Sequence, residues 1–224
     1  MANRSYLYSL NYNQCKLEKA LKKTISGVSE SEYYIPLAYK ILISQEIQMC
    51  NSIIWDNKQK IALTGNLEKG KSKLFDFLET LKSKRLFDEN LLIEKIENTR
   101  ISLSKTEKYG LLEPGEIYDL ENENIYDQNT RLYSNLKNID SEIKSFYKAV
   151  LEIEEKLTSQ KSYLKDLKDN NDFVGRIFVK LFSKKKVPVK DSIRKLENNI
   201  AYYQQEKWNL LGIDQWKDHL YYNF

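Results

Sequence analysis

The sequence predicts an α+β fold, predominantly helical, in which a small mixed head carries a long antiparallel coiled-coil hairpin. Three observations lead there. An apolar stripe in alternating steps of four and three runs through Ile125, Asn129, Leu132, Leu136, Ile139, Ile143, Phe146, Val150, Ile153, Leu157, Gln160, Leu164 and Leu167. Only Asn129 and Gln160 in it are polar, and no Gly or Pro interrupts Asn122 to Asn171. Held for about six heptads, this spacing is that of a coiled-coil seam, on a helix roughly 75 Å long. The same spacing then returns at Val189, Ile193, Leu196, Ile200, Tyr203, Lys207 and Leu210, which supplies the partner such a stripe requires. Finally, short extended runs lie among helical stretches in the first 120 residues, and 224 residues contain just three Pro and seven Gly.

Taken in order, Ser5 to Leu10 alternates and is aromatic, which predicts a first strand. Ile25 to Ser29 reads as a turn, because Gly27 sits among serines. Ile35 to Ile43 predicts a buried helix with Pro36 in its first turn, where a missing N–H costs nothing. Lys60 to Gly65 predicts a second strand. Leu67, Gly70, Leu74, Phe77, Leu78 and Leu81 mark an amphipathic helix ending near Lys84, and Asp88 caps another carrying Leu92, Ile96 and Leu103. Pro114-Gly115 predicts a turn between two short extended pieces of Tyr109 to Leu120. Gly212 is placed to end the return arm. The aromatic tail, with Trp216, Leu220, Tyr221, Tyr222 and Phe224, is expected to fold back on the head, as an added strand.

The predicted domains are therefore a head over 1–120, joined by 212–224, and a hairpin over 121–211 whose tip is 172–190. The return arm is the shorter, so Ile125 to Phe146 must pack on the head's helices or on another molecule. Self-association through that stretch is one expectation.

Composition narrows the function. Charged residues make up 30% and mean hydropathy is −0.63, with no apolar run of membrane-spanning length. The first residues lack an apolar signal core, and two cysteines fit a reducing compartment, so a cytoplasmic location is expected. Net charge is +5 over 1–110, −5 over 111–171, +5 over 172–190 and −1 over 191–224. A basic excess gathered at one short place is unlike a general nucleic-acid binder. A single histidine, His219, excludes His-based triads and multi-His zinc sites, so no metal and no cofactor is assigned. Cys15 and Cys50, thirty-five positions apart, have no ligand pair near them in sequence.

Two stretches carry candidate chemistry. Gly65-Asn66-Leu67-Glu68-Lys69-Gly70-Lys71-Ser72 satisfies the P-loop pattern after an apolar run. In that reading Gly65 and Gly70 shape a phosphate cradle, Lys71 reaches the β/γ-phosphates and Ser72 holds Mg²⁺. The competing reading is that Asn66 caps a helix and Gly70 permits close packing. The tip combines Phe173, Ile177, Phe178 and Phe182 with Arg176, Lys180, Lys184, Lys185 and Lys186. Such a turn suits an acidic protein partner, an anionic membrane surface or nucleic-acid phosphates, or simply closes the hairpin with its lysines in water.

Met1-Ala2-Asn3-Arg4-Ser5-Tyr6-Leu7-Tyr8-Ser9, with Ile25-Ser26-Gly27-Val28-Ser29-Glu30 leading into Ile35-Pro36-Leu37-Ala38-Tyr39-Lys40-Ile41-Leu42, resembles a family of uncharacterised bacterial proteins that open on this signature. The closing Leu220-Tyr221-Tyr222 looks like that family's ending. The resemblance covers about the first 80 residues and the tail. It implies an immunity role beside a polymorphic toxin, and it brings no catalytic residues. The sequence thus leads to a non-enzymatic binding protein, an immunity protein occluding a cognate toxin. A coiled-coil adaptor using the tip and a nucleotide-binding protein using Lys71 are the alternatives.

Overall fold

A computed structural model describes residues 3–15, 23–56, 58–178, 187–214, 216–217 and 219–224, with side chains given outside 170–190. The fold is mixed α+β and mostly helical. Five antiparallel strands form one sheet in the order β2 (Ile25–Glu32), β1 (Arg4–Leu10), β5 (Tyr109–Glu113), β4 (Ala62–Asn66), β3 (Gln48–Cys50). Register decides which face each side chain takes. Leu7, Leu112 and Leu63 align on one face, beneath α1 (Leu37–Ile43) and α2 (Leu67–Ser83). Tyr6, Tyr8, Leu111, Glu113, Ala62 and Cys50 line the other, which loops and the tail cover.

The helices start where capping chemistry says they should. Asn66 accepts from Lys69 N at the start of α2, and Asp88 accepts from Leu91 N at the start of α3 (Glu89–Ser104). Close approach of α1 to its neighbours rests on two glycines. A Cβ at Gly65 would stand 2.0 Å from Ile43 O, and one at Gly70 would stand 1.8 Å from Leu42 O.

Three local expectations are corrected. Ile25 to Ser29 is not a turn but the first part of β2. The register slips there, from Leu7↔Ser29 to Tyr8↔Gly27, so Val28 is the extra residue of a bulge. Pro114-Gly115 does not join two extended pieces. Pro114 ends β5 and caps the single-turn α4 (Gly115–Tyr118), which needs no N–H from proline. The expected continuous helix is two helices, α5 (Ile125–Lys137) and α6 (Ile139–Phe178). Asn138 separates them at φ −116°, ψ 61°, its N–H bonding Asn135 O while its own carbonyl accepts from Ser141 N.

The chain divides into two compact units: residues 1–146 with 209–224, and residues 147–208. The head is thus larger than the expected 1–120 with 212–224. The reason is packing by α5 and the first turns of α6. Leu136 and Ile139 are buried, Phe146 meets Phe77 edge-on at 5.8 Å, and Lys40 Nζ bonds Glu142 at 2.6 Å. Asn129 is buried because it satisfies backbone and side chain together: it accepts from Tyr118 OH at 2.8 Å and donates to Lys60 O at 2.9 Å. Of the two expected coverings for Ile125 to Phe146, the head's own surface is the one observed.

In the second unit, α6 and α7 (Val187–Leu211) are linked by Lys168–Glu197 at 2.8 Å and by Lys207–Glu154, while Lys156 sits over the Tyr203 ring. Partner numbers fall on α7 as they rise on α6, so the two helices run in opposite directions. Lys207, buried at a seam position, pairs with Glu154. Gly212, at φ +74°, ends α7 as expected.

Candidate functional site

The sheet face opposite α1 and α2 is built from aromatic rings around one carboxyl. β1 alternation turns Tyr6 and Tyr8 onto it, and the tail returns to cover them. Tyr222 meets Tyr6 edge-on at 5.4 Å and Trp55 at 6.1 Å, and Phe224 meets Tyr8 at 5.6 Å. Tyr8 OH donates to Tyr222 O at 2.9 Å; Tyr6 OH donates to Glu116 Oε1 at 2.9 Å. Burial raises both phenols, which therefore stay protonated at neutral pH.

Glu113 ends β5 on this face, fully buried. Its Oε1 accepts from Ile53 N at 2.7 Å, the Ser52 hydroxyl bonds the carboxyl, and Oε2 has no partner. Burial pushes the group up to about 7 against those two hydrogen bonds. A carboxyl titrating near neutrality can in principle exchange protons in a reaction. Here it faces closed packing of side chains.

A more open feature lies at the β2 edge of the sheet. The tail runs along it, with Lys217 N donating to Val28 O and, among the described residues, an isolated bridge between Ser29 and Trp216. Between tail and strand lies a cleft of about 540 Å³, with Glu30, Glu32 and Asp214 for acids, Lys217 for a cation and Tyr33, Tyr34 and Trp216 for aromatics. The acids are held in place. Glu30 accepts from Lys217 Nζ at 3.0 Å and Tyr221 N at 2.9 Å, Glu32 pairs with Arg4 at 3.0 Å, and Asp214 lies 3.7 Å from Lys95 Nζ. Burial alone would raise Glu30, but the bonds from Tyr221 and Lys217 outweigh it and leave the group lowered and ionised. The Trp216 indole donates to Thr99 Oγ1 at 2.9 Å, which fixes its ring.

Tyr33 is the exposed aromatic member, 60% accessible, and holds a left-handed φ of 67°. That conformation is costly for a bulky residue and is maintained by the bond from Tyr33 N to Asn3 O at 2.7 Å. The chain thus presents an aromatic side chain at the rim of a recess of paired charges.

The P-loop reading does not survive the geometry. Gly65 is in β4, Asn66 is an N-cap, and Leu67 to Ser72 are already helix, so the backbone amides form no loop. Gly65 and Gly70 are occupied in packing against α1. Ser72 Oγ lies 3.4 Å from Glu68 O, and Lys71 lies on the half-buried face of α2, its amine lowered by desolvation. At the tip, Phe173, Arg176, Ile177 and Phe178 continue α6 rather than opening a turn at 172. Lys180, Phe182, Lys184, Lys185 and Lys186 lie outside the described residues.

Sequence reasoning missed the cleft, Glu113 and the approach of Cys15 to Cys50. Glu113 had a signal: Tyr109, Leu111 and Glu113 alternate, so a strand burying Leu111 also buries Glu113. The other two depend on strand order, which no local pattern reveals. Among the described residues, no group of three or more His, Cys, Asp or Glu stands placed to hold a metal ion, and no helix is long and apolar enough to cross a membrane.

The chain belongs to the family described as Domain of unknown function (DUF7822), whose model matches residues 14–153. That span takes in β2 through the first turns of α6; it leaves out β1 and the tail, where half of the opening resemblance lay. No curated protein and no solved structure matches the chain.

Proposed function

We propose that this protein is a non-enzymatic binding protein of the bacterial cytoplasm, an immunity protein that neutralises a cognate toxin by covering its working surface. The observation that carries the reading is the cleft at the β2 edge. Three acids, each held beside a cation of the chain itself, and a strained, exposed tyrosine suit a segment of another protein whose lysine or arginine displaces one of those cations. Ordered carboxylates pair with cations without first losing side-chain freedom, and tyrosine at a rim adds contact area at small entropic cost. Toxins that act on nucleic acid carry such basic surfaces, and an acidic, aromatic recess competes for them.

The test is purification of the tagged protein with whatever is bound to it. A single stoichiometric partner, toxic when expressed alone and harmless with this chain, is the expected result. Recovery of membrane lipid, nucleic acid or no specific partner overturns the proposal.

A second reading rests on the opposed helices α6 and α7, joined by Lys168–Glu197 and Lys207–Glu154. Read as an antiparallel coiled-coil hairpin, they make the chain an adaptor that docks through Lys184, Lys185 and Lys186. Replacing those three with Glu separates the readings. Adaptor function is lost with them, whereas toxin binding at the cleft is unchanged.

A further inference from the structure

We propose that Cys15 and Cys50 form a reversible intramolecular disulfide, with Cys15 the attacking thiol and Cys50 the resolving one. The placement follows from two contacts that bracket Cys50. Cys15 Sγ bonds Met49 O at 3.1 Å, and Gln14 Nε2 donates to Asn51 O at 3.4 Å. The turn after β1 is thereby laid along the end of β3, and Cys15 packs against the cluster that contains Cys50. Strand order makes this meeting, because β1 and β3 are separated by β5 and β4 and the segment beyond β1 crosses the aromatic face to reach β3.

The two sulfurs are differentiated. Cys15 is half-buried, while Cys50 is buried in the cluster of Tyr6, Tyr8, Tyr12 and Leu111. The neighbouring Cys50 thiol is the main cause that brings Cys15 down to about 7; burial opposes it and the charge of Lys60 assists. Cys15 in turn, with burial, holds Cys50 up as the thiol. Reactivity requires thiolate and access, and of the two sulfurs the half-buried Cys15, lowered where Cys50 is raised, is the better placed to attack. Neither group belongs to the cleft, so the inference stands apart from the proposed function.

With a peroxide as oxidant the steps balance. The Cys15 thiolate sulfur attacks one peroxide oxygen, the O–O bond breaks and hydroxide leaves, giving a sulfenic acid. Cys50 sulfur then attacks the Cys15 sulfur. The S–O bond breaks, the Cys50 proton goes to the departing hydroxyl, and water and the disulfide result. Two electrons pass from the thiol pair to the peroxide, and a reducing dithiol reverses the change by exchange.

The experiment treats the reduced full-length protein with hydrogen peroxide and follows intact mass, free thiols and non-reducing peptide maps. The expected outcome is loss of both thiols together, a mass lower by two hydrogens, and a single cross-link joining the Cys15 and Cys50 peptides in a monomer. Dithiothreitol restores the starting mass. Closing this loop should raise Tm by about 5–10 °C. A Cys50→Ser variant should accumulate the Cys15 sulfenic acid, trapped by dimedone. Oxidation of Cys15 to sulfenic or sulfinic acid in the wild type with Cys50 still a thiol overturns the proposal, as does cross-linking only between molecules. The wild-type mass decides even if the variant does not fold.

Discussion

Replacing Glu113 by Gln should flatten the decline of stability with pH. The folded protein holds the Glu113 proton to about pH 7, against an ordinary carboxyl value of 4.5. The folded state therefore binds more protons than the unfolded chain between those limits. Its contribution is fully present below about pH 4.5 and is lost as pH rises through about 7. The shift corresponds to about 3 kcal/mol by linkage. Gln keeps the acceptor for Ile53 N and does not ionise. Wild type and Glu113→Gln should be similar at pH 5, and the variant should be more stable at pH 8 by about 3 kcal/mol. Urea unfolding followed by tryptophan fluorescence at several pH values reads this directly, since Trp55 lies against the same face. Parallel profiles for the two proteins would refute a buried, neutral Glu113.

Further predictions concern packing. Gly70→Ala should cost about 2–3 kcal/mol in denaturant unfolding, because its Cβ has only the backbone of Leu42 to displace. Lys71→Ala should change stability by no more than about 0.5 kcal/mol and leave the protein unresponsive to Mg-ATP in thermal-shift measurements. Asn129→Leu should cost about 2–3 kcal/mol, since Tyr118 OH and Lys60 O lose the partner that Asn129 supplies. Deleting residues 220–224 strips Leu220 and Tyr222 from Tyr6 and Tyr8, and should lower stability by about 3 kcal/mol with loss of near-UV circular dichroism.

The helical outline was legible because local chemistry writes it. Asn66, Asp88 and Gly212 each bound a helix where capping requires, and the α2 stripe from Leu67 to Leu81 is buried as its spacing implies. The break at Asn138 was hidden by the stripe itself. Leu136 and Ile139 keep the three-residue step across it, so periodicity continues while the backbone does not. β2 was misread for a different reason. An edge strand with serines and glutamates needs little apolar patterning, and its bulge beside Gly27 imitates a turn. Three-residue β3 offers no period at all. Everything that makes the cleft and the thiol pair depends on which strands are neighbours, and on a tail that returns almost two hundred positions later to bond Glu30.

Affinity for the proposed toxin partner, compared between wild type and a Glu32→Lys, Tyr33→Ala variant, addresses the proposed binding role most directly. Both side chains are exposed, so the fold should be kept, as circular dichroism would verify. Recognition of a basic segment in the cleft predicts a Kd raised by about a hundredfold, or about 2.7 kcal/mol, and loss of protection in cells expressing the toxin. An unchanged Kd with the fold intact would contradict it and move the contact away from the β2 edge.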